Sequence, residues 1–361
     1  MTTIAPTPIR IVGRVRGWLV RTLVLLVLAA CAVAPSEPVA GAPPHHAVGG
    51  FRNLDPAYER PGAWARVRFF ARRGWQSVTG ARSYEPPRVA NDGRALRERA
   101  PAAPPAVTWI GHSTVLVQLE GLNVLSDPQW SERASPFSWV GPRRLAPPGV
   151  AFEALPPIHV VVISHDHYDH LDLPTIRRLA AGHDPLFLVP LGLRAWLAER
   201  GIVHVVELDW WQEHRQGPLR FVCVPAQHWS QRALGEANPR LWSSWAMLGA
   251  TRRLYVSGDT GYFAGFREAG DRLGPFDLAV LPIGAYLPRD MMRFNHTTPE
   301  EAVQALEDLR GRVLLGVHWG TFDLSDEPLD EPPARMLAEA RRRGIPDDRA
   351  WVFQIGETRG W

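Results

Sequence analysis

The sequence His165-Asp166-His167-Tyr168-Asp169-His170, directly after the apolar run at 160–164, constrains this chain more than any other feature. Three imidazoles and two carboxylates in six residues are costly to gather unless something binds there. Neutral imidazole and carboxylate are ligands that zinc takes, at about 2.0–2.2 Å. Alternate residues of an extended segment point the same way, so His165 and His167 can share one ion. The chain then turns, and Asp169 with His170 can reach a second ion beside it. A lone His-x-His reads as a polar loop with chance histidines. The full hexapeptide at a strand end reads as a metal site.

Three more residues occupy the same kind of position. His228 follows the strand-like run at 220–224, Asp259 follows the run at 254–257, and His318 follows the run at 312–317. Each alone is an ordinary loop residue. Loops that leave one end of a sheet gather there, because the strands fix where they start. His165, His167 and His228 then complete one ion, and Asp169, His170 and His318 complete the other. Asp259 bridges the two. Two cations about 3.5–4 Å apart with an oxygen between them form a hydrolytic centre.

The rest of the chain reads as a mixed α/β protein with buried sheets. Strands at 115–119 and 123–126 flank a Glu120-Gly121 turn, and later strands alternate with helices expected at 171 onward, 193–200, 299–309 and 333–343. The expected division is an export signal at 1–31, a flexible tether at 32–50, an Arg-rich extension at 51–105 and a catalytic domain at 106–361. The signal ends in Leu28-Ala29-Ala30-Cys31, which is similar to a bacterial lipobox, with Cys31 as the lipidated residue. That places the protein in a bacterial cell envelope, as an outer-membrane or periplasm-facing lipoprotein. The only other cysteine, Cys223, lies in an apolar run and reads as a buried inert thiol.

The net charge of +3 misleads, because four Arg and no acid lie in residues 1–30. Residues 100–361 carry 25 Arg against 31 acids, which argues against a nucleic-acid groove. Residues 60–99 carry ten Arg and three acids. They read either as a solvated face or as a patch drawn to an anionic membrane surface.

The chain closely resembles the N-acylphosphatidylethanolamine-hydrolysing phospholipase D family of the metallo-β-lactamase superfamily. The resemblance rests on Thr108-Trp109-Ile110-Gly111-His112, Ser126-Asp127-Pro128 and Gly141-Pro142-Arg143-Arg144. It continues through Ile163-Ser164-His165-Asp166-His167-Tyr168-Asp169-His170, Gln227-His228-Trp229, Gly258-Asp259-Thr260-Gly261-Tyr262 and Val317-His318-Trp319-Gly320-Thr321-Phe322. It runs from about residue 51 to the C-terminus. It implies an αβ/βα four-layer sandwich, two Zn²⁺ per chain, a phospholipid substrate and a homodimer. The implied products are N-acylethanolamine and phosphatidic acid, released by hydroxide bridging the two cations. Animal members typically carry Gln where Asn295 stands.

Three residues around this centre have both a functional and an ordinary reading. His296 can steady the phosphate or protonate the leaving oxygen, or it can be a polar residue before the helix at Pro299; the resemblance favours the first. Asp127 buttresses a ligand histidine or makes a turn before Pro128. His112 is at most a partner of a ligand. Trp130, Phe137 and Trp139 are candidates for touching acyl chains, whereas Trp210, Trp211, Trp242 and Trp245 read as core. The alternatives are another hydrolase on the same fold, such as a lactonase, and a non-catalytic envelope protein held by zinc. A closed structural zinc fills every position with protein ligands. Seven ligands for two ions leave room for water.

Overall fold

Glu120 and Gly121 both adopt positive φ, 49° and 81°, which makes the two-residue turn expected between two strands. That turn belongs to a computed structural model describing residues 37–79, 82–233, 236 and 238–361. The proposed signal and Cys31 lie outside these residues. A short hairpin, β1 (His46–Ala47) and β2 (Gly50–Phe51), comes first. Then follow β3 (Ala106–Gly111), β4 (Thr114–Leu119), β5 (Leu122–Ser126), β6 (Val160–Val162), β7 (Leu186–Pro190) and β8 (Val205–Leu208). The next seven are β9 (Glu213–Gln216), β10 (Leu219–Val224), β11 (Ser244–Leu248), β12 (Arg253–Val256), β13 (Leu278–Pro282), β14 (Val313–Val317) and β15 (Ala350–Trp351). The last strand is β16 (Thr358–Gly360).

These strands make two seven-stranded sheets, ordered β16-β3-β4-β5-β6-β7-β8 and β15-β14-β13-β12-β11-β10-β9. Each begins as an antiparallel meander and ends in parallel strands: β5 to β8 in the first, β12 to β15 in the second. Parallel strands need crossover connections, and helices supply several of them. The helices are α1 (Ala63–Thr79), α2 (Arg94–Arg97), α3 (Leu173–Gly182), α4 (Leu193–Ala198), α5 (Gly265–Leu273), α6 (Arg289–Met292), α7 (Pro299–Asp308) and α8 (Glu331–Arg342). Among the described residues, no helix is long and apolar enough to cross a membrane.

Side-chain alternation shows that both faces of the first sheet are covered. Val160, Val162, Leu186 and Leu188 join the core between the sheets. Their neighbours Val161, Ile163, Phe187 and Val189 pack instead with Ile176 and Leu179 of α3 and Leu193 and Leu197 of α4. On the second sheet, Phe266 of α5, Val303 and Leu306 of α7 and Met336 of α8 complete the larger core. The layers are helix, sheet, sheet, helix: the four-layer sandwich expected from the sequence. Cys223 is fully buried, and burial pushes its thiol up.

Trp245 on β11 spans the inter-sheet space, and its indole N–H donates to Ile163 O at 2.8 Å. It is 1% exposed. Trp245→Ala is expected to destabilise the fold by about 3–5 kcal/mol. Urea unfolding of the two proteins measures this; a loss under about 1 kcal/mol means the site collapses around the smaller side chain.

Several expectations change. Residues 38–50 are not a loose tether: His46–Ala47 pairs with Gly50–Phe51, and His45 and Ala47 are buried. The cause is a burial partner that no local pattern reveals, Asp209, which holds His45 and His46. The Arg-rich stretch contains the helix α1, and its cations are not all solvated. Arg68, Arg72, Arg73 and Arg82 pair with Asp290, Asp326 and Asp323. Asp172, which its place before the helix from 171 onward marks as a candidate cap, makes no side-chain cap on α3. Its carboxylate instead accepts from Ser131 N at 2.9 Å and Ser131 Oγ at 2.8 Å, tying the 131–144 loop to the body.

Candidate metal centre

The sheets deliver their loops to one place. His165 lies three residues past β6, His228 four past β10, Asp259 three past β12 and His318 one past β14. Three residues around this point hold backbone conformations that side chains usually avoid: His112 (φ 55°), Asp127 (φ 40°) and His318 (φ 62°). Such residues cost about 1–3 kcal/mol each and persist only where their surroundings hold them. Here His318 N donates to His112 O at 3.0 Å, and Thr114 Oγ donates to Asp127 O at 2.7 Å.

Two groups of side chains result. In one, His167 Nδ1 lies 2.8 Å from His165 Nε2 and 3.2 Å from His228 Nε2. In the other, Asp169 Oδ2 lies 3.5 Å from His170 Nε2 and 3.6 Å from His318 Nε2. Asp259 stands between them. Its Oδ1 is 3.1 Å from His318 Nε2, and its Oδ2 is 3.1 Å from His170 Nε2 and 3.9 Å from both His165 Nε2 and His228 Nε2. All seven residues expected as ligands are brought together.

The fit to cations can be read from the unused atoms. His170 Nε2, His318 Nε2 and Asp259 Oδ1 are buried and make no hydrogen bond, although they converge. Buried polar atoms are ordinarily paired. Atoms that converge at 3.1 Å without bonding suit a common cation, and the N/O donor set suits zinc.

The protonation states point the same way. Burial and the neighbouring imidazoles push His165 well below its usual range. Burial takes His167 down to about 4 and His228 to about 3. These are neutral rings, the form that coordinates metal. For His170 and His318 burial acts downward too, but Asp259 and Asp169 outweigh it: His170 is raised well above its usual range and His318 to about 9. A divalent cation among these groups would take over the carboxylate charge that raises both rings and would displace such protons on binding.

Outer partners hold the ligands. Asp127 accepts from Ser164 N and Ser164 Oγ at 2.7 Å each, and from His170 Nδ1 at 2.8 Å. His112 Nε2 lies 2.9 Å from Asp169 Oδ2 and its ring packs 4.0 Å from that of His318. His228 Nδ1 meets Asn295 O at 3.0 Å. His296 stands at the rim, its Nδ1 3.9 Å from Asp259 Oδ2, and burial lowers it to about 3.

Asp166 turns away from the centre, as strand alternation requires relative to His165 and His167. It is buried and accepts from Arg240 Nε at 2.6 Å and Gln231 N at 3.0 Å. Arg240 was not found from sequence, and nothing local to it signals the contact. Trp130 is not free to meet lipid: its indole donates to Val150 O at 3.0 Å and its ring packs edge-on to Phe152. Phe137 and Trp139 are exposed, Trp139 at 75%. Trp210, Trp242 and Trp245 are core residues as expected.

Residues 122–319 match the family model described as a beta-lactamase superfamily domain. The chain belongs to the metallo-β-lactamase superfamily. Within it, the chain is 44% identical over 302 residues to an uncharacterized protein of Mycobacterium tuberculosis, covering 82% of this chain and 80% of that one. It is 45% identical over 263 residues to N-acyl-phosphatidylethanolamine-hydrolyzing phospholipase D 1 of Caenorhabditis elegans, covering 69% of this chain and 74% of the worm protein. The crystal structure of an isothiocyanate hydrolase from Delia radicum gut bacteria shares the fold, with a TM-score of 0.57 at 20% identity, over 71% of this chain and 99% of that one. The protein is a metal-dependent hydrolase of the metallo-β-lactamase fold.

Proposed function

We propose that the chain is a zinc-dependent phosphodiesterase that hydrolyses N-acylphosphatidylethanolamine-like phospholipids to N-acylethanolamine and phosphatidic acid. The observation that carries this reading is Asp259, whose two oxygens face both halves of the histidine cluster. His165, His167 and His228 would hold one cation, and Asp169, His170 and His318 the other. Such a pair supplies an activated water and neutralises charge on a phosphate. The name of the worm relative supports the substrate class.

The chain's own residues do the rest. Asp127 keeps a proton on His170 Nδ1 and so keeps Nε2 open toward the centre. His112 does the corresponding service for Asp169. His296, neutral and 11% exposed at the rim, is placed to meet the phosphate or the leaving oxygen. Exposed Trp64, Phe137 and Trp139 give the protein aromatic contacts for a membrane surface.

The test joins zinc analysis with a panel of phospholipids, lactones and β-lactams. Two zinc per chain and release of N-acylethanolamine are expected, both lost on chelation and restored by zinc. Lactone turnover with no phosphodiester cleavage overturns the phospholipase reading in favour of a lactonase.

A further inference from the structure

His228 sits four residues past the end of β10, so β10 alone does not orient it. Four polar atoms belong to this residue. Nε2 faces His167 and Asp259, and Nδ1 meets Asn295 O. The remaining two, the backbone N and O, are both taken by one side chain. Asn53 Nδ2 donates to His228 O at 2.8 Å, and His228 N donates to Asn53 Oδ1 at 3.2 Å. A primary amide used this way mimics a neighbouring strand. It grips the peptide on both sides and so sets the direction of the Cα–Cβ bond.

Asn53 is itself delivered by an anchored segment. Phe51 N donates to Asn238 O at 2.9 Å, and Asn238 is joined to Ser230 in the His228 loop by bonds of 3.1 and 3.2 Å. Farther back, His45 Nε2 lies 2.6 Å from Asp209 Oδ1 and His46 Nε2 lies 2.8 Å from Asp209 Oδ2. The His45 ring stacks on Trp210 at 4.2 Å. Each imidazole engages a different carboxylate oxygen at hydrogen-bond distance. The trio therefore satisfies itself as a clasp and needs no third cation. Asp209 stands between β8 and β9, at the passage from one sheet to the other.

We propose that residues 45–53 form a positioning strap for the metal centre, in which Asn53 orients His228 and the His45–His46–Asp209 clasp holds the strap in place. The strap rests on the two-cation reading above. Asn53 touches neither substrate nor cation; it acts through His228.

The test uses the full chain with zinc titrated against a competing chelator, and with cobalt(II) as a spectroscopic substitute. Asn53→Leu keeps the volume and removes both hydrogen bonds. It is expected to weaken one of the two ions by about tenfold or more, the usual scale for an outer partner of a ligand. The other ion keeps its affinity, and the cobalt absorption bands of the affected site shift. Asp209→Ala, remote from the centre, is expected to weaken the same ion to a smaller degree. Two ions bound at wild-type affinity by both variants, with unshifted cobalt bands, overturn the strap: Asn53 then only fills space. A wild-type chain that binds fewer than two ions overturns the two-cation reading, and the strap with it.

Discussion

Asp259→Asn is expected to lower kcat/KM by more than about 100-fold and to leave the chain with about one zinc instead of two. The scale comes from comparison: removing an outer partner of a ligand costs about 10–100-fold in metal affinity or activity. Asp259 is closer to the centre than any such partner. One of its oxygens lies 3.1 Å from His318 Nε2, and the other lies 3.1 Å from His170 Nε2 and 3.9 Å from His165 and His228. An amide of the same shape offers one oxygen and one NH₂. Whichever way it turns, N–H hydrogens face one of the two groups of ligand side chains. The residue is 3% exposed, so water does not replace the lost ligand easily. Its surroundings also favour the ionised form. Burial alone raises a carboxyl group, but His170 and His318 hold Asp259 well below the usual carboxylate range. Elemental analysis and steady-state kinetics on a phosphodiester substrate measure both effects. Two zinc per chain with activity within tenfold of wild type means that Asp259 does not bridge.

The metal centre was legible in the sequence because its densest part is contiguous. In His165-Asp166-His167-Tyr168-Asp169-His170, strand alternation sorts the residues by direction: 165 and 167 inward, 166 and 168 outward. Asp166 bound to Arg240 and the Tyr168 hydroxyl donating to Arg232 O follow that rule. Asp259 and His318 were legible because they follow apolar strands. Contacts between distant segments left no local mark. His45 and Asp209 are 164 positions apart, and Asn53 and His228 are 175 apart. The family resemblance begins at about residue 51, but no local pattern there points from Asn53 to His228, and a run rich in Ala, Pro and Gly reads as a tether until its partner is known. The helix α1 was hidden for a related reason. Its Arg residues pair with Asp290, Asp323 and Asp326, more than 200 positions away. β11 was hidden because Ser244 to Leu248 hold no β-branched residue, the mark that made the equally buried β14 legible.

The same distinction between a ligand and its support sets the expectation for Asp127→Asn. A carboxylate only accepts hydrogen bonds, so the contact at 2.8 Å puts a proton on His170 Nδ1 and leaves Nε2 as the nitrogen that can give up its proton to a cation. Asparagine can keep its oxygen on Ser164 N, where Asp127 now accepts at 2.7 Å. Its NH₂ then faces Ser164 Oγ and His170 Nδ1. A ring that accepts at Nδ1 carries its proton on Nε2, which points at Asp259 3.1 Å away and blocks a cation there. The backbone is not at fault in this exchange, because Asn tolerates the φ of 40° at this position better than most residues. Asp127→Asn is therefore expected to fold normally and yet to lose about 10–100-fold in zinc affinity at the His170 side and in turnover. Asp127→Ala adds backbone strain and exposes the Ser164 donors, so a loss of stability accompanies its loss of metal. Circular dichroism, chelator competition and kinetics separate the two variants. An Asn variant that matches the wild type within twofold in both zinc affinity and rate reduces Asp127 to a turn residue before Pro128.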